Sequence, residues 1–528
     1  MYKLGPHQIS GRYVLAPMAG ITDLPFRELA LGFGASAVTS EMLTSDTSLW
    51  GSVKSASRLK GLVHDSKLSL ADKVSENTSG VSLFNENSLA LIDGFPCDTK
   101  AAVQSFADRL VAKQLIEKPL KIVQIAGGDV ETLSTAARFS QDLGVDVIDV
   151  NMGCPAKKVC KKAAGSALLK DQVLVEKLLR GVRDSVQIPV TLKTRTGWSI
   201  EQKNGADVAK LAAQIGINAI AIHGRTRECR FKGEAEYHEI RRIKSEVSIP
   251  VIANGDITST AKASKVASQT ACDALMIGRG ALGRPWLFSE LNHADAAKAE
   301  NKVATKVARQ QQLAFKLAIA TIHTDAIHRF YGEIKGPRIA RKHFGWYVDA
   351  LIDDHFSMPV AHSDLGDASD NLYCDNQSQK PATNTNNACQ TDKFCNTKFT
   401  SQGFDTYKNN LTCDKANPSQ RNERPAQAIA SKATSVEKDN EQNVASANDS
   451  AKHASSKQET RLNELGSDSV GSRYTITLSA KTNEFAIHQL RKTKRLFNST
   501  DSGKAQLDLI RECFYQLQFL SSKEEIAA

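Results

Sequence analysis

Apolar runs of strand character recur eight times in the N-terminal part of the chain: Val14-Leu15-Ala16, Ala37-Val38-Thr39, Ile122-Val123-Gln124-Ile125, Val147-Ile148-Asp149-Val150, Val190-Thr191-Leu192, Ala219-Ile220-Ala221-Ile222, Val251-Ile252-Ala253 and Ala274-Leu275-Met276-Ile277. Amphipathic stretches lie between most of them, at Val130 to Leu143, Val173 to Val182, Val208 to Ile215 and Tyr237 to Val247, with apolar positions recurring every three or four residues. Strands that alternate with helices at this pitch pair in parallel, because each strand must be carried back to the same end of the sheet by a crossover. Eight such units predict an α/β fold, a (β/α)8 TIM barrel over 1–295, with its chemistry at the C-terminal ends of the strands.

Two intervals are longer than a crossover requires. Between strands two and three, residues 67–118 combine a Ser- and Asn-rich first half with a helical second half, Lys100 to Leu115. Entering just before strand three, this insertion is expected at the N-terminal pole of the barrel, away from chemistry. The extra length after strand four directly follows Cys154, so it is expected to fold over the C-terminal mouth as a lid.

Beyond the barrel, Val303 to Tyr347 is helical in pattern, with Val303, Val307, Leu313, Leu317 and Ala320 on one stripe. From 353 to 483 the chain is rich in Asn, Ser, Gln, Thr, Lys and Asp, too polar to offset chain entropy by burial, and disorder is expected. Periodicity returns from Phe485 to Leu517. A C-terminal all-helical domain, 300–352 plus 485–520, interrupted by a long disordered insertion, is the predicted arrangement.

Composition narrows the class. The chain has 528 residues, 41% hydrophobic and 24% charged, and no apolar run near the roughly 18 residues needed to span a bilayer, so a soluble protein is expected. Its first residues lack the pattern of a secretory signal, which makes the cytoplasm the expected compartment. The ten cysteines are scattered and read as reduced thiols. Cys374, Cys389, Cys395 and Cys413 lack the close pairing of a zinc site, so no metal is expected. A net charge of +10 and a pI near 9.0 suit a polyanion such as RNA.

The candidate chemistry gathers at strand ends. Asn151-Met152-Gly153-Cys154-Pro155-Ala156-Lys157-Lys158 closes the fourth strand with a turn that presents one thiol. Free cysteine is often buried and inert, but a strand-end thiol with a reference pKa of roughly 8.5 suits a proton donor, and Lys157 is near enough in sequence to lower that pKa. Asn254-Gly255-Asp256 and Gly278-Arg279-Gly280 follow strands seven and eight, where barrels commonly hold phosphate. Glycine there admits backbone N–H groups to an anion, and Arg279 adds a charged fork. Gly278 to Gly283 also spells GxGxxG, but in the last unit of a barrel it is no Rossmann fingerprint. Ala16-Pro17-Met18-Ala19 can pack against a flat ring, Gln124 can hydrogen-bond it, and Lys193 can supply positive charge where a reduced flavin becomes anionic. His223 reads equally as a polar ligand or a core histidine. Thr22-Asp23-Leu24-Pro25 reads as a helix N-cap with proline in the first turn.

Taken in order, these blocks resemble the tRNA-dihydrouridine synthases, most closely the bacterial B-type subfamily. The resemblance rests on Ala16 to Asp23, Gln124 to Gly127, Asn151 to Val159, Lys193-Thr194-Arg195-Thr196-Gly197-Trp198, His223-Gly224-Arg225-Thr226, Ile252 to Asp256, Gly283 to Trp286 and Lys335 to His343. It implies reduction of the C5=C6 bond of a D-loop uridine in tRNA, with NADPH or NADH first reducing bound FMN. Cys154 is then the acid that protonates C5 from the face opposite the flavin. Implied FMN contacts are Pro17, Met18, Ala19, Gln124, Lys193, His223, Asn254, Gly255, Asp256, Gly278 and Arg279.

The flipped uracil must leave its stack, so basic residues are expected to ring the mouth. Lys157, Lys158, Lys161 and Lys162 follow the turn; Arg338, Arg341 and Lys342, then Arg491, Lys492, Lys494 and Arg495, decorate the helical part. A monomer with no membrane and no obligatory protein partner is expected, and the B-type resemblance suggests position 17 of the D-loop. The insertions 67–118 and 353–483 have no counterpart in the family's compact form. Two other readings stay open: a flavin barrel acting on free pyrimidines, of dihydroorotate or dihydropyrimidine dehydrogenase type, and a tRNA-binding factor that has lost catalysis.

Overall fold

A computed structural model describes residues 1–62, 83–85, 87–160, 163–300, 309–356 and 480–527. Chain contacts separate Met1–Cys374 with Thr477–Ala528 from a second unit, Asp375–Ile476, which lies outside the described residues. Of the segment expected to be disordered, 353–483, residues 353–355 and 480–483 are instead helical and 357–479 lie outside the described residues.

The chain opens with an antiparallel hairpin, β1 (Tyr2–Leu4) and β2 (His7–Ile9), which the strand pattern did not signal. The parallel sheet then runs through β3 (Tyr13–Leu15), β4 (Ala37–Val38), β5 (Leu43–Thr44), β6 (Ile122–Ala126), β7 (Val147–Asn151), β8 (Val190–Arg195), β9 (Ala219–His223), β10 (Val251–Asn254) and β11 (Ala274–Ile277). Its order is β4-β3-β11-β10-β9-β8-β7-β6-β5, and every neighbouring pair is parallel. β4 and β5 are two pieces of the second barrel strand. The first pairs with β3, the second with β6, and Thr39 between them bridges Ile122. That bridge closes the curled sheet into the TIM barrel.

Strand alternation explains how the barrel is filled. Val14, Ala16, Ala37, Ile122, Val147, Ala219, Ala221, Ile252, Ala274 and Met276 form one buried cluster with Tyr2, Leu4 and Ile9 of the hairpin. These are inward positions, and the hairpin seals the N-terminal pole. A larger cluster fills the space between the strands' outer faces and the helices. Period two carries the inward row onward to Met18, Gln124, Asp149, Asn151, Lys193, Arg195, His223, Asn254 and Gly278, so the top of the barrel is polar where its interior is apolar.

The helices are α1 (Leu24–Gly32), α2 (Val53–Leu59), α3 (Cys97–Ala112), α4 (Val130–Asp142), α5 (Lys157–Cys160), α6 (Gln172–Ser185), α7 (Gly205–Ile215), α8 (Tyr237–Glu246), α9 (Thr260–Thr270) and α10 (Leu287–Glu300). Asp23 caps α1 as its sequence indicates, its carboxylate accepting from Phe26 N at 3.0 Å with Pro25 in the first turn. One expectation is corrected. The stretch 67–118 is not wholly an insertion at the N-terminal pole: α3 is the crossover helix that joins β5 to β6, and Phe106 packs against Phe33, Phe84 and Phe315. A parallel crossover cannot close without such a helix. The additional residues therefore depart from the C-terminal end of β5, and 63–82 and 86 lie outside the described residues.

The C-terminal helices are α11 (Arg309–His355), α12 (Ala480–Ser499) and α13 (Gly503–Ala527). α11 is two helices joined at Gly332, where φ of +74° and ψ of 177° require glycine. Gln506, fully buried on α13, ties the group together: its amide donates to the carbonyls of Pro337, Phe497 and Thr500, and its oxygen contacts His328 Nε2 at 2.9 Å. Phe344 stacks on Phe497 and Phe95 on Phe514. Among the described residues, no helix is long and apolar enough to cross a membrane.

Candidate active site

Cys154 sits on a turn built from hydrogen bonds between side chains and backbone. Asn151, last residue of β7, accepts from the N–H groups of Gly153 and Cys154 at 3.2 and 3.0 Å. Its Nδ2 donates to Gln124 Oε1 at 2.8 Å, and Gln124 Nε2 donates to Asp149 at 2.7 Å, which also accepts from Thr191 at 2.7 Å. The chain Thr191–Asp149–Gln124–Asn151 thus runs through the top of the barrel and ends on the backbone that carries the thiol. Both polar ends of Gln124 are engaged inside the protein. Burial pushes the Asp149 carboxyl up, and its hydrogen bonds oppose that shift.

The far side of the turn is held as firmly. Ser166 donates from N and Oγ to the Cys154 carbonyl at 3.1 and 2.9 Å. Gly165 has φ of +63°, and a Cβ there would lie 2.8 Å from that carbonyl oxygen and 3.2 Å from Cys154 Cβ. Only glycine allows so close an approach. Arg195 Nε donates to the Gly153 carbonyl at 2.7 Å. Residues 161–162, and with them Lys161 and Lys162, lie outside the described residues.

The thiol's electrostatics differ from the expectation in one respect. Burial raises the Cys154 pKa above its ordinary value, while the Ala156 N–H and the cations Arg195 and Lys193 pull it down. Those cations replace Lys157, which points to solvent on α5. The balance keeps the thiol protonated at neutral pH, as an acid requires. Arg195 is the residue the sequence reading missed. Its signal was present: it stands two positions after Lys193 on β8 and therefore shares the inward face.

Across the mouth the holding forces are ionic. Asp256 Oδ1 accepts from Arg225 at 2.7 Å and lies 3.3 Å from Arg279, while Oδ2 accepts from Ala235 N at 3.0 Å. Its carboxylate is spent on the two arginines, so Asp256 orients cations and cannot itself face a phosphate. Gly255 and Asp256 both adopt positive φ. Lys193 Nζ donates to Asn254 Oδ1 at 3.2 Å, and Asn254 Nδ2 donates to the Met276 carbonyl. Burial, with Arg195 nearby, lowers the Lys193 pKa to about 8. His223 is buried with Nδ1 lacking a partner, and burial plus the surrounding cations hold it neutral.

Pro17, Met18 and Ala19 lie between β3 and α1, with Met18 N bonded to Thr22 Oγ1 at 3.0 Å. A Cβ added to Gly278 would meet Ala16 Cβ at 3.7 Å and Met18 Sδ at 3.8 Å, so the first and last strands enclose an open cradle. Gly20 N donates to Glu41 at 2.5 Å, and Glu41 sits in the break between β4 and β5. Strand two is therefore interrupted where it supports this loop.

The basic candidates divide. Lys157, Lys158, Arg338, Lys342, Arg491, Lys492 and Arg495 are exposed, whereas Arg341 pairs with Asp501 at 2.6 Å and Lys494 with Asp349 at 2.5 Å. The first of these pairs ties α11 to the turn between α12 and α13, and the second ties α11 to α12.

Comparison with known proteins decides the family. The profile of the family described as Dihydrouridine synthase (Dus) matches residues 14–76 and 98–380. The chain belongs to the dihydrouridine synthase family. It is 44% identical over 346 residues to the tRNA-dihydrouridine synthase B of Vibrio vulnificus (strain CMCP6), a match covering 66% of this chain and 89% of that protein. It is 45% identical over 349 residues to the protein of the same name from Pseudomonas aeruginosa, covering 66% and 87%. Histamine dehydrogenase from Rhizobium sp. 4-9 aligns at 13% identity with a TM-score of 0.35, over 61% of this chain and 50% of that one, a likeness that carries no argument. As a dihydrouridine synthase, the protein is an oxidoreductase, and its mouth combines a protonated thiol, a cation-lined floor and a glycine cradle.

Proposed function

We propose that this enzyme reduces the C5=C6 bond of a D-loop uridine in tRNA to 5,6-dihydrouridine, using FMN and a nicotinamide reductant, with NADPH the expected donor. The names of its relatives, tRNA-dihydrouridine synthase B, supply the nucleic acid and the product. The observation that carries the reading is a half-buried, protonated Cys154 beside Lys193 and Arg195 at the polar end of an otherwise apolar barrel. The same resemblance points to position 17.

The residues fit a phosphate-bearing flavin. Gly278 leaves a cradle open, Arg279 is one-third exposed with its charge oriented by Asp256, and His223 Nδ1 is a buried polar atom awaiting a partner. Pro17, Met18, Ala19, Asn254, Gly255 and Lys193 would hold the flavin. The chemistry a flavin held there would supply is hydride for uracil C6. Lys193, charged below about pH 8, holds positive charge where electron density accumulates. Cys154 would deliver its proton to C5. Arg195 and Asn151 fix the turn, so that the thiol rather than water meets the carbon.

The test is mass analysis of unmodified tRNA incubated with NADPH and the flavin-loaded enzyme. Dihydrouridine with the parent and at least a hundredfold less with Cys154→Ala is expected. A colourless protein that retains no FMN, or turnover of free uracil or dihydroorotate without RNA, would overturn the reading.

A further inference from the structure

A cavity of about 570 Å3 lies on the outer side of the catalytic turn, apart from the flavin cradle. That size falls within the roughly 300–1,000 Å3 of ligand sites. Lys157, Cys160, Leu168, Lys170, Trp198 and Arg227 are among its walls. Trp198 follows β8 directly, so the strand that carries Lys193 and Arg195 also presents this indole.

Two cations converge on that ring. Lys170 Nζ is 4.2 Å and the Arg227 guanidinium carbon 4.4 Å from its centroid. Each contact is a cation–π attraction, and two like charges gathered at one ring also repel each other. Among the described residues neither side chain has an ion pair, and Arg227 Nε is buried without a hydrogen-bond partner. The single carboxylate in the wall, Asp171, is committed elsewhere, capping α6 by accepting from Leu174 N at 2.9 Å. Lys157, Lys170 and Arg227 outnumber that one carboxylate, so the wall is net positive, and with an unsatisfied N–H donor it suits an anion.

The segment between the cavity and the thiol links the two. Gly165–Lys170 is a short helix: Ser166, near its start, holds the Cys154 carbonyl, and Lys170 ends it over Trp198. An anion at Lys170 and Arg227 therefore bears on the segment that fixes the catalytic turn.

We propose that this cavity binds a phosphodiester of the RNA strand flanking the uridine that is reduced, with Lys170 and Arg227 as the phosphate clamp, Trp198 as the platform that orders them and Lys157 at the rim. This rests on the function proposed above and names the contact that would seat the strand beside the thiol.

The test uses full-length, flavin-loaded enzyme and unmodified tRNA transcript, comparing Lys170→Ala, Arg227→Gln and the conservative Lys170→Arg with the parent. KM for tRNA should rise about tenfold in each of the first two, the salt dependence of tRNA binding should lose about one phosphate contact, and Lys170→Arg should restore both. Should Arg227→Gln fold poorly, exposed Lys170 provides the same readings alone. Quenching of Trp198 fluorescence by a D-loop oligonucleotide, lost in Trp198→Phe, is expected too. Unchanged KM and salt slope in active Lys170→Ala enzyme would overturn the clamp. A raised KM for NADPH in place of tRNA would overturn it as well, assigning the cavity to the reductant's phosphate. Failure of the parent to form dihydrouridine would instead strike the underlying function.

Discussion

The two sides of the barrel mouth are held by opposite chemistry. On the β6–β8 side, amides and hydroxyls pass hydrogen bonds from Thr191 through Asp149, Gln124 and Asn151 to the Cys154 backbone. On the β9–β11 side, one carboxylate, Asp256, orders two arginines. The difference follows from what each side must do. On the function proposed, a proton donor needs a fixed position and a neutral thiol: these hydrogen bonds and Arg195 supply the position, and burial outweighs the nearby cations to keep the thiol neutral. On the same proposal an anion site needs net positive charge, and here two cations share a single acid.

Substitutions can break this division. The largest effect is expected from Cys154→Ala, which should lower the rate of dihydrouridine formation by roughly 10²–10⁴-fold while leaving flavin content intact; flavin loss in that variant, seen in its absorbance spectrum, would mean the sides are not separate. Asp256→Ala should do the reverse. With Arg225 only 2% exposed, removal of its partner strands a buried charge at a cost of about 3–5 kcal/mol, read by denaturant unfolding and accompanied by weaker FMN retention. Next comes Asn151→Ala, which leaves Gln124 and the Cys154 N–H short of partners. It should cost about 1–3 kcal/mol and reduce kcat more than it weakens FMN binding.

The pH dependence sharpens the comparison further. Lys193 is charged below about pH 8 and neutral above, so tRNA-dependent turnover should fall on an alkaline limb near that value. Lys193→Met should show a low, flat profile instead; a limb that persists would assign it to another group. Because its folded pKa lies below the ordinary 10.5, the unfolded chain binds more protons between about 8 and 10.5, and this group's contribution to stability rises with pH there. The smallest effect is expected where the barrel meets α11. Burial raises the pKa of Asp23 from 3.8 to about 7, so between those values the folded chain holds the extra proton and stability falls as pH rises. Asp23→Asn keeps the cap and should remove about one proton's worth of that slope in urea titrations across pH 4 to 7.

Much of this was legible without coordinates. The alternation of apolar and polar residues along each strand announces the barrel and marks its functional end, because period two carries every inward row from the apolar interior to residues such as Gln124, Lys193, His223 and Asn254. The same rule, applied one step further along β8, would have found Arg195. The N-cap at Asp23 was legible because it is a contact between near neighbours.

What the sequence determined by itself is what neighbours along the chain encode: strand, helix, turn, cap and the family blocks. Tertiary structure alone decided which distant groups meet. Closure of the barrel brings Asn151 to Gln124, Asp256 to Arg225, Arg195 to the thiol turn and Lys170 with Arg227 onto Trp198, and it makes 97–112 a crossover helix where composition suggested an insertion. Local periodicity fixes which face a side chain occupies, whereas its partner is set by the register of strands that no short-range pattern specifies.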